Sequence, residues 1–412
     1  MTDSIAIIHR HAENALSELV QSFPVILVTG PRQIGKTTLL QNARKTEKIP
    51  YLTFDDMSEV NAVKSDPKAF LSLHRPPVVF DEIQYAPELL PYLKIEADKN
   101  KKKGMYFLTG SQQFHLMKNV SESLAGRIGI LQLMGLSMRE IGADKFNTPF
   151  LPSLEYFTAR MKNTRSYSVS EIWKMIHLGS FPAVASGYSK QRALYDSYIK
   201  TYIERDVRLL AQVGDELAFM QFITVAAART GQMLNYRDMA RDIQISEPTA
   251  KKWLSILVTS GLVYLLPPFS INVEKRVVKT PKLYFLDTGL AAYLTKWTNP
   301  DVLQQGAAAG AFFETFIISE ILKSYYNNGT EPAMFYYRDK DCKEIDLLIM
   351  ENGTLYPLEI KKTSTPKKDD VSVFKVLNSI KGLKIGTGGL ICTDTKLGVL
   401  DKDCYSIPAA FI

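Results

Sequence analysis

Gly30-Pro31-Arg32-Gln33-Ile34-Gly35-Lys36-Thr37 decides the reading of this chain, because it meets the pattern of a phosphate-binding loop at every defined position. Just before it, Val25-Ile26-Leu27-Val28 is apolar and β-branched, as a buried parallel strand requires. Just after it, Thr38-Leu39-Leu40-Gln41-Asn42-Ala43 reads as helix. In such a strand–loop–helix, successive backbone N–H groups and the positive end of the helix dipole converge on phosphate oxygens. Gly30 and Gly35 let the backbone turn and approach the ligand with no Cβ in the way. Lys36 is then placed to bridge the β- and γ-phosphates, and the Thr37 hydroxyl to ligate Mg²⁺. The expected nucleotide cradle therefore comprises Gly30, Pro31, Arg32, Gln33, Ile34, Gly35, Lys36, Thr37 and Thr38.

At 412 residues the chain exceeds one ordinary core, which predicts roughly two to four domains. Its 46% hydrophobic and 23% charged residues are those of a soluble globular protein. No apolar run reaches membrane-spanning length, and the N-terminus lacks a basic segment followed by an apolar one, so a cytoplasmic protein without membrane contact is expected. Cys342, Cys392 and Cys404 have no paired or zinc-type spacing and read as buried, reduced thiols. A net charge of +7 admits a polyanionic partner without requiring one.

Further chemistry follows in order. Residues 11–21 carry apolar positions three to four apart, as a helix on the sheet edge would. Tyr51-Leu52-Thr53-Phe54-Asp55 reads as a second strand. Pro77-Val78-Val79-Phe80-Asp81-Glu82 is an apolar strand ending in two acids, with Asp81 suited to the Mg²⁺ shell and Glu82 to orienting and polarising the attacking water. Met105-Tyr106-Phe107-Leu108-Thr109-Gly110-Ser111-Gln112 ends in small polar groups. Ser111 is the first choice for a group that senses the γ-phosphate, and Thr109 the second. In Ser123-Leu124-Ala125-Gly126-Arg127, Arg127 is either a finger reaching a neighbouring subunit's phosphate or a structural ion-pair partner.

The set GPRQIGKTT, YLTFDD, VVFDEIQ, FLTGSQ and SLAGR resembles the bacterial and archaeal AAA+ P-loop ATPases that carry the C-terminal domain DUF4143. The resemblance continues through Tyr202-Ile203-Glu204-Arg205-Asp206-Val207, the stretch from Lys279 to Gly289 (KTPKLYFLDTG) and Leu358-Glu359-Ile360-Lys361-Lys362. It implies a nucleotide-hydrolysing N-terminal domain, a helical or winged-helix middle and a nuclease-like C-terminal region. The expected fold is α/β: a P-loop NTPase with a parallel sheet (1–147), a linker and helical region (148–220), a winged helix-turn-helix (221–272) and an α/β PD-(D/E)XK nuclease-like domain (273–412).

Within the middle, residues 147–170 contain Pro149 and Pro152 without sustained periodicity and read as a linker. Helical patterning resumes at Ser170. The mixture of aromatics with Lys200, Arg205 and Arg208 in residues 198–208 suits either a nucleic-acid path or a helix packed on the ATPase. Residues 236–243, a short turn, and a helix capped by Ser246 with Pro248 in its first turn have helix-turn-helix spacing, and residues 261–266 would supply a wing. Thr249, Lys251 and Lys252 lie where base or phosphate contacts are made, and Lys275, Arg276, Lys279 and Lys282 extend a basic patch. The same fold also serves protein–protein contact.

In the last third, Glu314 sits in an apolar helix, Asp346 on a strand, and Glu359-Ile360-Lys361 on the next; this order resembles the PD-(D/E)XK nuclease core. Asp346 and Glu359 can converge on a hard cation, Glu314 can assist from the helix, and alternation sends Glu359 and Lys361 to one face, with Lys361 beside a metal-bound water. A fold-stabilising ion-pair cluster uses the same residues. The expectation is therefore an ATP- and Mg²⁺-dependent hydrolase that remodels or moves along duplex or branched DNA. It would work as a homo-oligomer such as a hexameric ring, with a nuclease-like site that could take a second Mg²⁺ or Mn²⁺. The competing expectations are a regulatory or signalling ATPase whose later domains bind proteins, and a restriction-like defence enzyme.

Overall fold

A computed structural model describes residues 7–42, 49–110, 120, 123–162, 165–201, 216–270, 280–380 and 382–412. Ser111, Arg205, Arg208, Lys275, Arg276 and Lys279 lie outside the described residues.

Strands β1 (Val25–Thr29), β2 (Tyr51–Thr53), β3 (Val78–Asp81), β4 (Tyr106–Gly110) and β5 (Ile128–Gln132) form a parallel sheet ordered β2-β3-β4-β1-β5. The three inner strands are buried throughout, which explains why their sequences are continuous apolar runs rather than alternating ones. Val25, Leu27, Val78 and Phe80 face one apolar cluster, while Ile26, Val28 and Val79 face another on the opposite side. Helix Glu13–Ser22 and the P-loop helix Lys36–Asn42 cover that second face with Leu16, Leu39 and Leu40.

Beyond the sheet one large core runs from Met134 to Ile412, and two smaller clusters, around Leu348 and around Leu390, pack within the last unit. The axis of the large core is the helix Ala309–Tyr326, in which 14 of 18 residues are buried. This helix is tied to the segment following β5: Glu320 Oε2 accepts from Met138 N at 2.7 Å, and Lys323 Nζ donates to Leu136 O at 3.0 Å. The ATPase sheet is thereby fixed to the last third of the chain. Residues 147–170 are not a plain linker. They include a helix, Leu154–Met161, capped by Ser153 and burying Tyr156, Phe157 and Arg160. The Arg160 guanidinium donates to Phe411 O and Ala410 O at 3.2 and 2.9 Å. The two prolines mark the entry to this helix, and the short run of buried positions at 156, 157 and 160 supplied too little periodicity to announce it.

The helix-turn-helix forms as expected, with helices Tyr236–Asp242 and Glu247–Thr259. The second ends in Gly261 (φ +73°), with Leu262 N donating to Leu257 O and Gly261 N to Val258 O, both at 3.0 Å. These bonds form a Schellman motif, which needs the left-handed residue that glycine supplies. The wing is a three-stranded antiparallel sheet ordered β6 (Gln232–Met233), β8 (Lys282–Phe285), β7 (Val263–Leu266). Its middle strand lies past the expected boundary at residue 272, so that boundary cuts through a hydrogen-bonded sheet.

The last unit is a mixed sheet. β9 (Ala333–Arg338), β10 (Glu344–Glu351) and β11 (Thr354–Ile360) form an antiparallel meander. β12 (Lys384–Ile385) and β13 (Gly388–Cys392) run parallel to β11, β15 (Cys404–Pro408) runs parallel to β13, and β14 (Gly398–Asp401) pairs antiparallel with β15 at the edge. Between β11 and β13, Lys368–Ser379 winds as a 3₁₀ helix. Cys392 and Cys404 are buried, but Cys342 is exposed, against the expectation for all three. Among the described residues no helix is long and apolar enough to cross a membrane.

Candidate functional site

The loop between β1 and its helix is held tightly from behind. A Cβ at Gly30 (φ +140°) would lie 2.1 Å from Leu133 O, so only glycine fits where the loop passes the end of β5. Lys36 is buried, and its ammonium donates to Gly30 O at 3.1 Å and Pro31 O at 2.8 Å, curled over the loop it would cross to meet phosphate.

Three neighbouring strands and the P-loop helix converge on one carboxylate. Thr37 Oγ1 donates to Asp81 Oδ1 at 2.8 Å, Thr109 Oγ1 donates to the same oxygen, and Tyr51 OH donates to Asp81 Oδ2 at 2.7 Å. Burial and then the bond to Asp81 raise the Tyr51 hydroxyl above its ordinary pKa, so it remains a donor. Glu82 follows in the left-handed region (φ 55°, ψ 47°), its N–H donating to Thr109 Oγ1 at 3.1 Å and its carboxylate accepting from Gln84 Nε2. The adjacent Thr37 hydroxyl and Asp81 carboxylate are hard oxygen donors of the kind Mg²⁺ selects. Thr109, the second choice for the γ-phosphate sensor, thus bridges Asp81 and Glu82.

A cavity of about 390 Å³ opens over the loop, with Gly35, Lys36, Thr37 and Glu82 on its phosphate side. Ile7, Ile8, Pro182 and Tyr188 line the remainder, an apolar slot suited to a purine ring. Sequence reading did not single out the parts that hold this slot. Arg10, buried beneath it, donates from Nη1 to Ile34 O at 2.9 Å and from Nη2 to Met134 O at 2.8 Å, and pairs through Nε with Glu140 at 3.0 Å. Although burial raises the Glu140 pKa, Arg10 and the N–H groups of Ser137 and His11 hold it below the usual carboxylate range. The Pro182 wall is anchored by Asp287, whose Oδ2 accepts from both Ser180 N and Ser180 Oγ at 2.7 Å. The available signals were an arginine within an apolar N-terminal stretch and the Leu-Asp-Thr-Gly run, neither specific alone.

Arg127 precedes β5, whereas the P-loop follows the far end of β1, so the two lie at opposite ends of neighbouring parallel strands. Its guanidinium pairs with Asp98 and donates to Ala125 O at 2.9 Å, the ion-pair alternative. On the helix-turn-helix, Lys251 and Lys252 are exposed and Thr249 is half-buried. Lys251 pairs with Glu247 at 2.9 Å and lies over the Tyr236 ring. Lys282 is 4% exposed and does not belong to the surface basic patch.

Lys282 instead enters the carboxylate cluster of the last unit. Its Nζ lies 2.6 Å from Glu344 Oε1, 3.2 Å from Glu314 Oε1 and 3.7 Å from Asp346 Oδ1. Tyr284 OH also donates to Glu314 Oε1 at 2.5 Å, and Ile360 N donates to Asp346 Oδ2 at 3.0 Å. Burial and Asp346 push Glu314 up to about 7 and Glu359 up to about 9. Burial works to lower the Lys282 pKa, yet Glu314, Asp346 and Glu344 hold it above its ordinary value. The structure thus brings Glu314, Asp346 and Glu359 together, as the sequence order suggested. Lys361 stands at the edge of the cluster: β11 ends at Ile360 and the Lys361 ammonium pairs with Asp370 at 2.9 Å, while, against burial and Asp346, its charge works to lower the Glu359 pKa. Among the described residues no three His, Cys, Asp or Glu side chains are arranged to hold a metal ion. The donor set does not fit the second cation.

Comparison with known proteins matches this order of units. The family described as AAA domain covers residues 22–142, a domain of unknown function (DUF8612) residues 169–301, and a second (DUF4143) residues 309–410. The uncharacterized proteins Rv2008c of Mycobacterium tuberculosis and Mb2031c of Mycobacterium bovis are each 31% identical over 366 residues, covering 87% of this chain and 74% of theirs. Among solved structures, the Walker-type ATPase PABY2304 of Pyrococcus abyssi is 17% identical, with a TM-score of 0.42 over 70% of this chain and 96% of that one. With an AAA domain followed by DUF4143, and relatives 31% identical over 87% of its length, the chain belongs to the AAA-type P-loop ATPases that carry a C-terminal DUF4143 domain.

Proposed function

We propose that this ATPase acts on DNA and that its nucleotide state alters how the winged-helix unit holds the duplex. The observation that carries the reading is the contact between Gly261, at the end of the second helix of the helix-turn-helix, and Pro31 of the P-loop. A Cβ at Gly261 would sit 3.0 Å from Pro31 Cγ. A P-loop that rearranges around phosphate therefore presses on the unit whose exposed Lys251 and Lys252 lie at the start of a recognition-type helix. In the cycle proposed, Lys36 and the loop N–H groups hold the phosphates, Thr37 and Asp81 hold Mg²⁺, and Glu82 orients the attacking water. Held there, Mg²⁺ would neutralise part of the phosphate charge. The proposal includes a homo-oligomer, set in the cytoplasm, and does not rest it on Arg127, which is paired with Asp98 at the far end of the sheet.

One observation favours a second reading, a regulatory ATPase whose later units bind proteins. Lys251 is paired with Glu247 and Lys282 is buried, which leaves the described face less basic than the sequence promised. Binding of duplex and four-way-junction DNA, measured across a salt series without nucleotide, with ADP and with a non-hydrolysable ATP analogue, separates the two. The DNA reading expects affinity that falls steeply with salt and changes with nucleotide. No affinity in any nucleotide state would leave the regulatory reading. The nuclease part of the sequence expectation is not carried forward, because Lys282 stands where a cation would be needed.

A further inference from the structure

We infer that the acidic cluster of the last unit is closed around an internal cation, the Lys282 ammonium. It would act as an ionic seam fastening the wing sheet to the C-terminal sheet, not as an exchangeable divalent-metal centre. The carboxylates come from three places in one unit: Glu314 from the long central helix, Glu344 and Asp346 from β10, and Glu359 from β11. The cation comes from another, since Lys282 opens β8, the middle strand of the wing. Tyr284, two residues along the same strand and hence on the same face, sends its hydroxyl to Glu314 as well. Two side chains of one strand thus grip the acid that was the expected helix ligand.

Lys282 cannot readily give up this position. Its backbone is paired on both sides, in register with Met233 of β6 and Leu266 of β7, so the stem is fixed at its root. The ammonium is almost wholly removed from solvent, and its other near neighbour is the Tyr336 ring, centred 5.8 Å away. A divalent ion would need oxygen ligands at about 2.0–2.6 Å. The Lys282 nitrogen already lies within 2.6–3.7 Å of three of the four acids, so ion and ammonium cannot share the space. Arg338 adds a second cation, 3.4 Å from the other oxygen of Glu344. Glu359 is the member left over: its Oε1 is buried and makes no hydrogen bond among the described residues. The lysine expected to serve chemistry, Lys361, points to Asp370 outside the cluster.

The test uses the full chain, free of nucleotide, carrying Asp81→Asn so that the P-loop does not contribute a metal site. Bound Mn²⁺ is counted by electron paramagnetic resonance. With Lys282 intact, no Mn²⁺ is expected at the cluster. Adding Lys282→Ala should create one Mn²⁺ site that is lost again with Asp346→Asn. Mn²⁺ bound with Lys282 intact and lost on Asp346→Asn would overturn the inference, whether or not the Lys282 variant folds. Silence in a folded Lys282→Ala protein would overturn the claim that the lysine fills a cation position. For the seam, Lys282→Met, which keeps the stem, should speed amide exchange in β8 and β10 together by roughly a hundred- to a few thousandfold, the factor implied by losing a buried charge partner. Unchanged exchange in both strands would remove the seam.

Discussion

Replacing Arg10 by Met tests whether the nucleotide site is braced from beneath. Arg10 is 6% exposed and the Glu140 side chain is wholly buried, so the substitution leaves an acid in the core with its cation gone. Loss of one partner of a buried, hydrogen-bonded pair costs about 3–5 kcal/mol. Two remaining bonds to Glu140, from Ser137 N at 2.7 Å and His11 N at 2.8 Å, place the expectation at the lower end of that range. The carbonyls of Ile34 and Met134 also lose their donors, at about 1 kcal/mol each, and Ile34 lies inside the phosphate loop. Urea denaturation of Arg10→Met should therefore show a loss of about 3–5 kcal/mol, together with roughly tenfold weaker ATP binding. The deficit should narrow as pH falls, because protonation relieves the unpaired Glu140. A double-mutant cycle with Glu140→Gln should give clear coupling between the two positions. A loss below about 1 kcal/mol, or additive single effects, would refute the bracing argument.

Lys36→Ala should abolish steady-state ATP hydrolysis and Glu82→Gln should leave ATP bound but uncleaved; turnover unaffected by either would remove both residues from the reaction. Tyr51→Phe deletes one donor to Asp81, so the Mg²⁺ concentration for half-maximal ATPase should rise roughly three- to tenfold with little change in rate at saturating Mg²⁺. An unchanged Mg²⁺ requirement would show that the Asp81 contact is idle. Gly261→Ala should cost about 1–2 kcal/mol for a left-handed alanine and, by pushing on Pro31, weaken ATP binding measurably; unaltered nucleotide affinity would break the proposed link between loop and winged helix. Glu359 is held protonated by burial and Asp346, up to about 9 from an ordinary 4.5. In a raised acid the folded state holds a proton that the unfolded chain has released, so stability falls as pH rises through that window. Glu359→Gln mimics the protonated form and should match wild type near pH 5 yet melt higher at pH 8; parallel melting curves across that range would contradict the assignment.

The legible parts of the fold were those whose signal is local. The phosphate loop, its flanking strand and helix, and the acidic end of β3 announce themselves because strand burial and glycine geometry act on adjacent residues. The helix-turn-helix was legible for the same reason, with Ser246 and Pro248 marking the start of its second helix. Long-range partnerships were not. Tyr51 reaches Asp81 across 30 positions, Arg10 reaches Met134 across 124, and Met138 reaches Glu320 across 182. No spacing rule connects such pairs; they follow only from the order in which parallel strands and the central helix stack.

Lys282 shows why reading residue types can mislead even where positions are correct. In sequence it is one more lysine in a basic stretch, and Glu314, Asp346 and Glu359 are acids in the order of a metal site. Both statements are local, and each omits the other. The wing sheet carries Lys282 into the acids because β8 pairs with β7 rather than with the sheet that follows it in the chain. Burial then converts a solvent-facing cation and a candidate metal cage into one ion-paired cluster. In the same way Gly261 is only a helix terminator until its contact with Pro31 is known. The contact places the winged helix against the loop that holds phosphate, and Lys282 fastens that winged helix to the C-terminal sheet. A displacement that begins at Pro31 therefore has a continuous path to the last unit, through residues that no motif joins.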